Sequence, residues 1–430
     1  MKNMQASNRW LARAKSRGGS TYLMMTRWSS ASAVIVWVVC ASVVPLSAGD
    51  WPQWRGPDRN GVSKETGWLT QWPSEGPKVA WKAKVGLGMS SFVVAGRSAV
   101  TMGHADERDT VFCFDADTGQ EIWKHSYPAE LGDNFFEGGT TGTPTIADDR
   151  VYSLSRWGDV FCFDAATGKV VWSKNVKTDS GARVPDWGFT GAPLVHGDRL
   201  ILNVGEAGLA LDRQTGAIVW KSGAKNAGYS TPLPLKHGAE TVALLSSGQS
   251  YLAVNLRDGQ PIWNVKWMTQ YGVNAADPII DGDRMFLSTG YGKGAALFRL
   301  GSGEPEQLWK GKTLRTQMNA AVFYKGYLYG VDGDTTEKAS LKCIEFATGA
   351  EKWSQPGFGS GGLIVADGKL IALNGTGELL VAPATPEKFE SIARAQVLGG
   401  KTWTAPVLAN GRIYCRNTMG FVVCLDVRAP

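Results

Sequence analysis

Few residues in this chain combine a reactive type with a reactive spacing. The four histidines, His104, His125, His196 and His237, lie far apart and show no H-x-x-x-H or other zinc spacing. Each reads as a surface or loop histidine. No G-x-S-x-G elbow and no Walker sequence occurs. A literal G-x-G-x-x-G stands at Gly357, Gly359 and Gly362, but it joins strands and opens no helix, so it does not read as a dinucleotide site. Asp332, Asp334 and Glu337 supply oxygen ligands of the kind Ca²⁺ takes; a solvated turn is the expectation. Of six cysteines, Cys40 lies in the N-terminal leader. Cys113, Cys162, Cys343 and Cys424 recur at one place in VFCFD, VFCFD, LKCIE and VVCLD. Equivalent places in neighbouring repeats are too far apart to bridge, so these thiols read as small buried hydrophobes. Cys415 and Cys424 share one apparent hairpin and are the one pair to test for a disulfide. There is no C-x-x-C-H for haem attachment.

The scaffold behind these residues is repetitive. VFCFDADTGQEIW (111–123) is followed by VFCFDAATGKVVW (160–172), LALDRQTGAIVW (209–220), YLAVNLRDGQPIW (251–263), LFRLGSGEPEQLW (297–309) and LKCIEFATGAEKW (341–353). The closing Trp123, Trp172, Trp220, Trp263, Trp309 and Trp353 are spaced 49, 48, 43, 46 and 44 residues apart, a period found in propeller blades and some helical arrays. Short Val, Ile, Phe and Trp runs around Asp-x-x-Thr-Gly turns favour hairpins. A second hairpin precedes each, as in TPTIADDRVYSLS or APVLANGRIYCRN, with turns at Gly96, Asp149, Asp198, Gly238, Gly282, Gly326, Gly368 and Gly411. Glycine, 53 of 430 residues, exceeds the usual ~7% and fits a turn-rich chain.

Eight first hairpins therefore predict an all-β, eight-bladed propeller of four-stranded antiparallel blades over 79–427. The seventh unit is degraded at 378–391 and lacks its Trp. The eighth stops at FVVCLD (421–426), one strand short. VAWKAKV (79–85), with Trp81, resembles the missing strand, so the N-terminal strand is expected to complete the last blade and remove the exposed edge.

The D-x-x-T-G-x-x-x-W spacing resembles the tryptophan-docking repeat of the pyrroloquinoline-quinone (PQQ)-like propellers, the quinoprotein/BamB-type family. Asp115, Thr118, Gly119 and Trp123 match it, as do Asp164, Thr167, Gly168 and Trp172, and Asp212, Thr215, Gly216 and Trp220. The resemblance covers about 350 residues, the span of the predicted propeller. WPQWRGPDRNGV (51–62) is also similar to the start of many exported bacterial members. The resemblance implies that Trp81, Trp123, Trp172, Trp220, Trp263, Trp309 and Trp353 lock blade to blade. Its enzymes are quinoprotein dehydrogenases, with longer chains, often a vicinal Cys–Cys pair against the quinone, and a Ca²⁺ site of Glu, Asn and Asp with an Asp base. Its other members include non-enzymatic envelope propellers. This chain has no Cys–Cys pair, which puts the dehydrogenase reading in doubt.

In a propeller, the loops entering the innermost strands converge at one end of the axis. Here they are 86–92, 135–144, 185–193, 227–232, 270–278, 314–321, 357–362 and 401–406. They offer Ser90, Glu137, Trp187, Tyr229, Asn274, Gln317 and Trp403, which vary where the Trp repeat is constant, and Arg315 as a partner for an anion. Variable loops on a constant scaffold suit a binding surface. Glu137, beside Phe135 and Phe136, is the charge to watch.

Charge narrows the partners. Lys and Arg number 45 against 39 Asp and Glu, but Lys2, Arg9, Arg13, Lys15, Arg17 and Arg27 lie in residues 1–48, which carry no acid; the rest balances at 39 against 39. Nothing there favours nucleic acid or an anionic membrane. Residues 33–46 form an apolar run after basic residues and before Ser47 and Ala48, the pattern of a signal peptide, with Met24 or Met25 as alternative starts. An uncleaved anchor is the alternative and the one route to a membrane. Residues 49–78, rich in Trp, Pro and Gly, are expected to pack across the propeller over its channel. Together these features predict an exported, monomeric, non-catalytic propeller that binds an envelope protein or a small ligand at its axial mouth, with no cofactor; the alternative is a quinoprotein dehydrogenase using PQQ and Ca²⁺, and a third class is a pure scaffold with no pocket.

Overall fold

The computed structural model describes residues 49–73, 75–333 and 338–429. The leader, and Asp334 and Glu337 of the acidic loop, lie outside the described residues. Eight antiparallel sheets follow one another around a ring. Blade 1 is Val93–Ala95, Ser98–Ala105, Arg108–Asp115 and Glu121–Pro128, counted from the axis outward. Blades 2 to 7 repeat the order, beginning at Thr145, Leu194, Leu233, Ile279, Val322 and Gly362. Blade 8 consists of Val407–Ala409, Arg412–Arg416, Phe421–Asp426 and, outermost, Lys78–Lys84 from the start of the chain. The N-terminal strand therefore closes the ring, and Trp81 pairs with Cys424.

Each first hairpin turns through two residues. The first of these has positive φ throughout, as at Asp367 (48°) or Asn410 (52°), which Gly, Asn and Asp tolerate and which matches the twist of the strands. The second hairpins obey their sequence as well: Asp115 Oδ1 accepts from the Thr118 N–H and hydroxyl, both at 2.9 Å. Gly168 then turns at φ 69° with the Trp123 indole against it, where a Cβ would come within 2.5 Å of the ring. Six docking indoles donate to a carbonyl of the next blade: Trp81 to Ala116, Trp123 to Ala165, Trp172 to Arg213, Trp220 to Leu256, Trp309 to Phe346 and Trp353 to Thr385, at 2.8–3.1 Å. Trp263 is likewise buried. The seventh blade, though degraded in sequence, still forms Glu378–Pro383 and Ala393–Gln396 and still supplies the acceptor at Thr385.

The cysteines answer to this belt. Cys113, Cys162, Cys343 and Cys424 stand directly opposite Trp123, Trp172, Trp353 and Trp81 in the strand register, the place Ala210 and Ala253 hold against Trp220 and Trp263. The place is apolar throughout, with Leu297 filling it against Trp309. Burial pushes the Cys113 and Cys162 thiols up to about 11. The suggested disulfide is corrected: Cys415 pairs with Val423 and Cys424 with Tyr414, which puts the two thiols on opposite faces of the sheet, and both are free. The reading of His104 is corrected too. It is buried, and its Nδ1 lies 2.8 Å from Asp109 Oδ1, because its strand faces the packed side of blade 1.

The seam between blades 8 and 1 has its own fastener. The Arg416 guanidinium is fully buried and donates to the carbonyls of Ser90 (2.6 Å) and Met102 (2.8 Å). Burial lowers its pKa to about 9. The one α-helix among the described residues, Val176–Ser180, follows the outer strand of blade 2 and is capped by Asn175.

Candidate functional site

The segment before the closing strand runs inside the ring. Asp50 accepts from Gly96 N and Asn410 Nδ2 at the two-residue turns of blades 1 and 8, both at 2.9 Å. Trp51 exchanges two backbone bonds of 2.8 Å with Val94 on the innermost strand of blade 1. Pro52 O accepts from Ile146 N. The chain turns back at Arg55 and Gly56, both with positive φ. Val62–Ser63 then lies parallel to Val365–Ala366 as a fifth, innermost strand of blade 7. Residues 49–63 are thus a plug that enters by the turn end of the channel and leaves by the same end. The expectation that this segment packs over the channel is refined: it packs within it.

At the tip of the plug sit two buried charged residues, Arg55 and Asp277, each held by its own hydrogen bonds. Arg55 donates to Ala320 O (3.0 Å), Ala321 O (2.8 Å) and Asn60 O (3.0 Å). Trp54 Nε1 donates to Asp277 Oδ2 at 2.6 Å, and Thr231 N donates to Oδ1 at 2.7 Å. Burial pushes the Asp277 pKa up, against the pull of Arg55 and of these two bonds. Burial also lowers the Arg55 pKa, opposed by Asp277. Asp277 stands at the entry to the innermost strand of blade 5, where the other blades carry Ser91, Thr143, Ala192, Thr231, Ala320, Gly362 and Ala405. Side-chain oxygens at this place latch blade to blade: Ser91 N donates to Thr143 Oγ1, and Ala192 N to Thr231 Oγ1. Asp277 makes the same latch with one oxygen and has a second to give to Trp54.

Above Trp54 the mouth loops enclose a cavity of about 250 Å³, walled by Phe135, Phe136, Trp187, Tyr229, Tyr291 and Trp403, with Asp277, Gln317 and Asn319 among its polar groups. Seven of the eight predicted loops contribute; 357–362 does not. The rings touch in series, Phe135 to Trp187 at 5.0 Å and Trp187 to Tyr229 at 5.8 Å. Burial raises the Tyr229 hydroxyl to about 12. Among the described residues no Lys, Arg or His lines the cavity. Two polar atoms in its wall lack a hydrogen-bond partner, Gln317 Oε1 and Trp403 Nε1; the Gln317 amide is held by its other end, through the Tyr291 hydroxyl at 2.9 Å.

Of the residues expected here, Trp187, Tyr229, Gln317 and Trp403 come together in the cavity wall. Glu137 sits on the rim, where it accepts from Lys401 Nζ at 2.8 and 3.2 Å. Partial burial pushes its pKa up, but the Lys401 hydrogen bond, a backbone N–H and the Lys401 charge together outweigh this and hold it below the ordinary value. Lys401 in turn lies 3.6 Å from the Trp403 ring centre. Ser90 and Asn274 are wholly buried and belong to the scaffold. Ser90 bonds Thr140 Oγ1 and Arg416, and Asn274 Nδ2 ties Ser247 O to Trp267 O. Arg315 points away from the cavity and forms two 2.9 Å bonds to Asp332, which also takes Lys342 at 3.0 Å. Burial pushes the Asp332 pKa up and these two cations pull it below the ordinary value. The acidic loop thus contributes a structural ion-pair centre at Asp332. Sequence reasoning missed Trp54 and Asp277. A signal existed for Asp277, a carboxylate where seven repeats have a small residue; none existed for Trp54, whose segment has no period.

This donor set does not fit PQQ with Ca²⁺. Ca²⁺ takes 6–8 oxygens and usually several carboxylates. The cavity offers one carboxylate, and both its oxygens are already bound to Trp54 and Thr231. Asn319 adds at most one amide oxygen, its Nδ2 being bound to Gly361 O and Trp403 O. Among the described residues, no group of three or more His, Cys, Asp or Glu is placed to hold a metal ion. A polycarboxylate quinone would meet no lining cation to balance it.

Comparison with known proteins agrees with this architecture. The family model described as outer membrane protein assembly factor BamB matches residues 107–355. No curated protein sequence matches the chain. Among solved structures, BamB from Moraxella catarrhalis is 16% identical, with 82% of this chain and 100% of that chain covered at a TM-score of 0.61. Quinohemoprotein alcohol dehydrogenase from Comamonas testosteroni is 15% identical, with 89% and 81% covered at 0.63. The computationally designed Ika8 protein is 13% identical, with 82% and 100% covered at 0.57. At these identities the likeness is one of fold.

Proposed function

The chain belongs to the PQQ-like propeller family represented by the outer membrane assembly factor BamB, and from that premise we propose that it is a non-catalytic binding protein of the cell envelope that takes its ligand at the axial mouth. The observation that carries this reading is the cavity above Trp54. Seven loops of otherwise dissimilar sequence combine there into one aromatic-walled recess, the form ligand sites commonly take. Its floor is closed by the plug, so the site opens at one end. The charges around it are occupied within the protein, Asp277 by the Trp54 and Thr231 N–H groups and Glu137 by Lys401. The bonds at Asp277 leave no free base for abstracting a proton, which supports binding over catalysis. The leader-like run at 33–46 supports export, and no helix among the described residues is long and apolar enough to cross a membrane.

A photo-crosslinking amino acid at position 135, on the mouth, should capture a ligand or envelope protein in cells, and the same probe at position 122, on the outer belt, should not. Equal capture at both positions, or none at 135, defeats the reading. Micromolar PQQ binding with Ca²⁺, followed by dye reduction with an alcohol, would replace it with the dehydrogenase.

A further inference from the structure

We infer that the axial cavity receives the terminal sugar ring of a neutral glycan chain; this rests on the proposed role of the mouth as a ligand site. Three features point there. First, the charges at the mouth are already spent. Asp277 is taken by the Trp54 and Thr231 N–H groups, Glu137 is held against Lys401, and Arg156, 5.0 Å from the Phe136 ring, donates to Leu131 O and Gly132 O. An anion finds no lining cation, and an organic cation meets rings that already face Lys401 and Arg156. A neutral ligand disturbs neither pair.

Second, the two unpartnered polar atoms are a neutral donor and a neutral acceptor. Trp403 is 8% exposed with its Nε1–H unmatched, and Gln317, whose Oε1 is unmatched, lines the same cavity. A hydroxyl both donates and accepts, so the hydroxyls of a sugar suit a donor and an acceptor alike. A flat, hydroxyl-free aromatic would stack on the rings but leave both atoms bare. Pyranose rings also present C–H faces that pack on indole and phenol faces, whose electron density is negative.

Third, the aromatic surface continues outward. Phe135 is 60% exposed and leans on Trp187; Tyr271 is 55% exposed and leans on Tyr291 at 5.1 Å. The loops before blades 2 and 5 thus extend inner rings onto the rim. At about 250 Å³ the cavity is smaller than the ~300–1,000 Å³ typical of drug-sized ligands. It takes one ring, and Phe135 and Tyr271 offer platforms for the next.

The test is calorimetric titration of the full chain with cellohexaose, maltohexaose, xylohexaose and mannohexaose, with choline and hexagalacturonate as charged comparators. At least one neutral hexasaccharide should bind with a Kd below ~1 mM, and neither charged probe should. Trp403→Phe keeps the ring and removes the donor, and Gln317→Ala removes the acceptor; each should weaken binding about five- to tenfold, the value of one hydrogen bond. Ile122→Ala on the belt should leave it unchanged, and thermal melting would confirm that all variants are folded. Failure of every neutral hexasaccharide, or binding that ignores both cavity variants, overturns the inference. Choline or hexagalacturonate binding that Trp403→Phe abolishes would overturn it while keeping the mouth as a ligand site. Absence of binding by every probe, together with no crosslink at position 135, would remove both.

Discussion

The outer belt and the axis of this propeller are built from the same repeat and have opposite habits. On the belt, six joints put an indole N–H on the next carbonyl, five of these have a glycine against the ring, and Cys or Ala stands opposite every one of the six indoles but Trp309. On the axis, equivalent places hold Ser91, Thr143, Ala192, Thr231, Asp277, Ala320, Gly362 and Ala405. The belt spends sequence on sameness because each blade interface poses the same packing problem. The axis is released from that demand, since eight loops meet once and each meets different neighbours. The difference teaches where individuality, and hence recognition, can be housed without cost to the ring.

The largest expected effect tests whether Asp277 is an axial individual or another latch. Asp277→Ala removes the acceptor of the Trp54 and Thr231 N–H groups and the nearby charge that opposes the effect of burial on Arg55. Leaving two buried donors unsatisfied costs about 1–3 kcal/mol each, so urea unfolding should show a loss of about 2–6 kcal/mol. Asp277→Asn should recover little of it, because both partners are donors and one would face the amide NH₂. Thr143→Ala removes a latch of the common kind, and its loss should stay near ~1 kcal/mol. Equal losses at the two sites would mean that the plug gains nothing from Asp277, and the contrast between belt and axis would weaken.

A smaller effect separates the two uses of glycine. Gly168 and Gly197 have similar positive φ, 69° and 56°. A Cβ at Gly168 would press on the Trp123 indole at 2.5 Å, whereas at Gly197 it meets nothing within 4 Å. Gly197→Ala should cost about 1 kcal/mol for the left-handed backbone alone. Gly168→Ala should cost that plus ~1–3 kcal/mol for displacing a packed ring. Thermal melting of the two variants checks the gap; equal shifts would show that the belt tolerates movement of its indoles.

The belt was largely legible in the sequence because its physics is local and repeated. Asp115, Thr118 and Gly119 form a turn within five residues, and Trp123 falls at a fixed distance beyond it. Even the ring closure followed from local likeness, since Trp81 sits in a strand of the same kind as its fellows. The mouth was legible in part. Trp187, Tyr229, Gln317 and Trp403 were found because the loops entering the innermost strands must converge. Ser90 and Asn274 lie in the same loops but turn into the scaffold, to Arg416 and to Ser247 and Trp267, and no local pattern separates the two orientations. Arg315 found Asp332, a neighbour on the adjoining strand of blade 6 that spacing alone does not reveal. Trp54 was beyond reach because it depends on the first 15 described residues threading back into a channel built by the rest of the chain.

The smallest expected effect concerns the joint where the belt closes. Asp426 ends the strand that pairs with Lys78–Lys84, and Arg428 Nε donates to it at 2.8 Å. The Arg428 hydrogen bonds are the chief cause that pulls its pKa down to about 2. An unfolded Asp titrates near ~3.9. A carboxyl depressed on folding stabilises the protein fully above the unfolded value and loses that contribution as pH falls through the folded one. The window therefore runs from about pH 4 down to about pH 2. Arg428→Ala should move the Asp426 titration, followed by carboxyl NMR, upward towards the ordinary value, and should shrink the difference in melting temperature between pH 5 and pH 2.5. At neutral pH the change should stay small, because Arg428 is half exposed and such pairs contribute about 0–1 kcal/mol. Closure rests instead on Trp81 and on Arg416, which are shielded from solvent. A large neutral-pH loss in Arg428→Ala would place the strength of the seam on its surface and set this joint apart from the others that an indole holds.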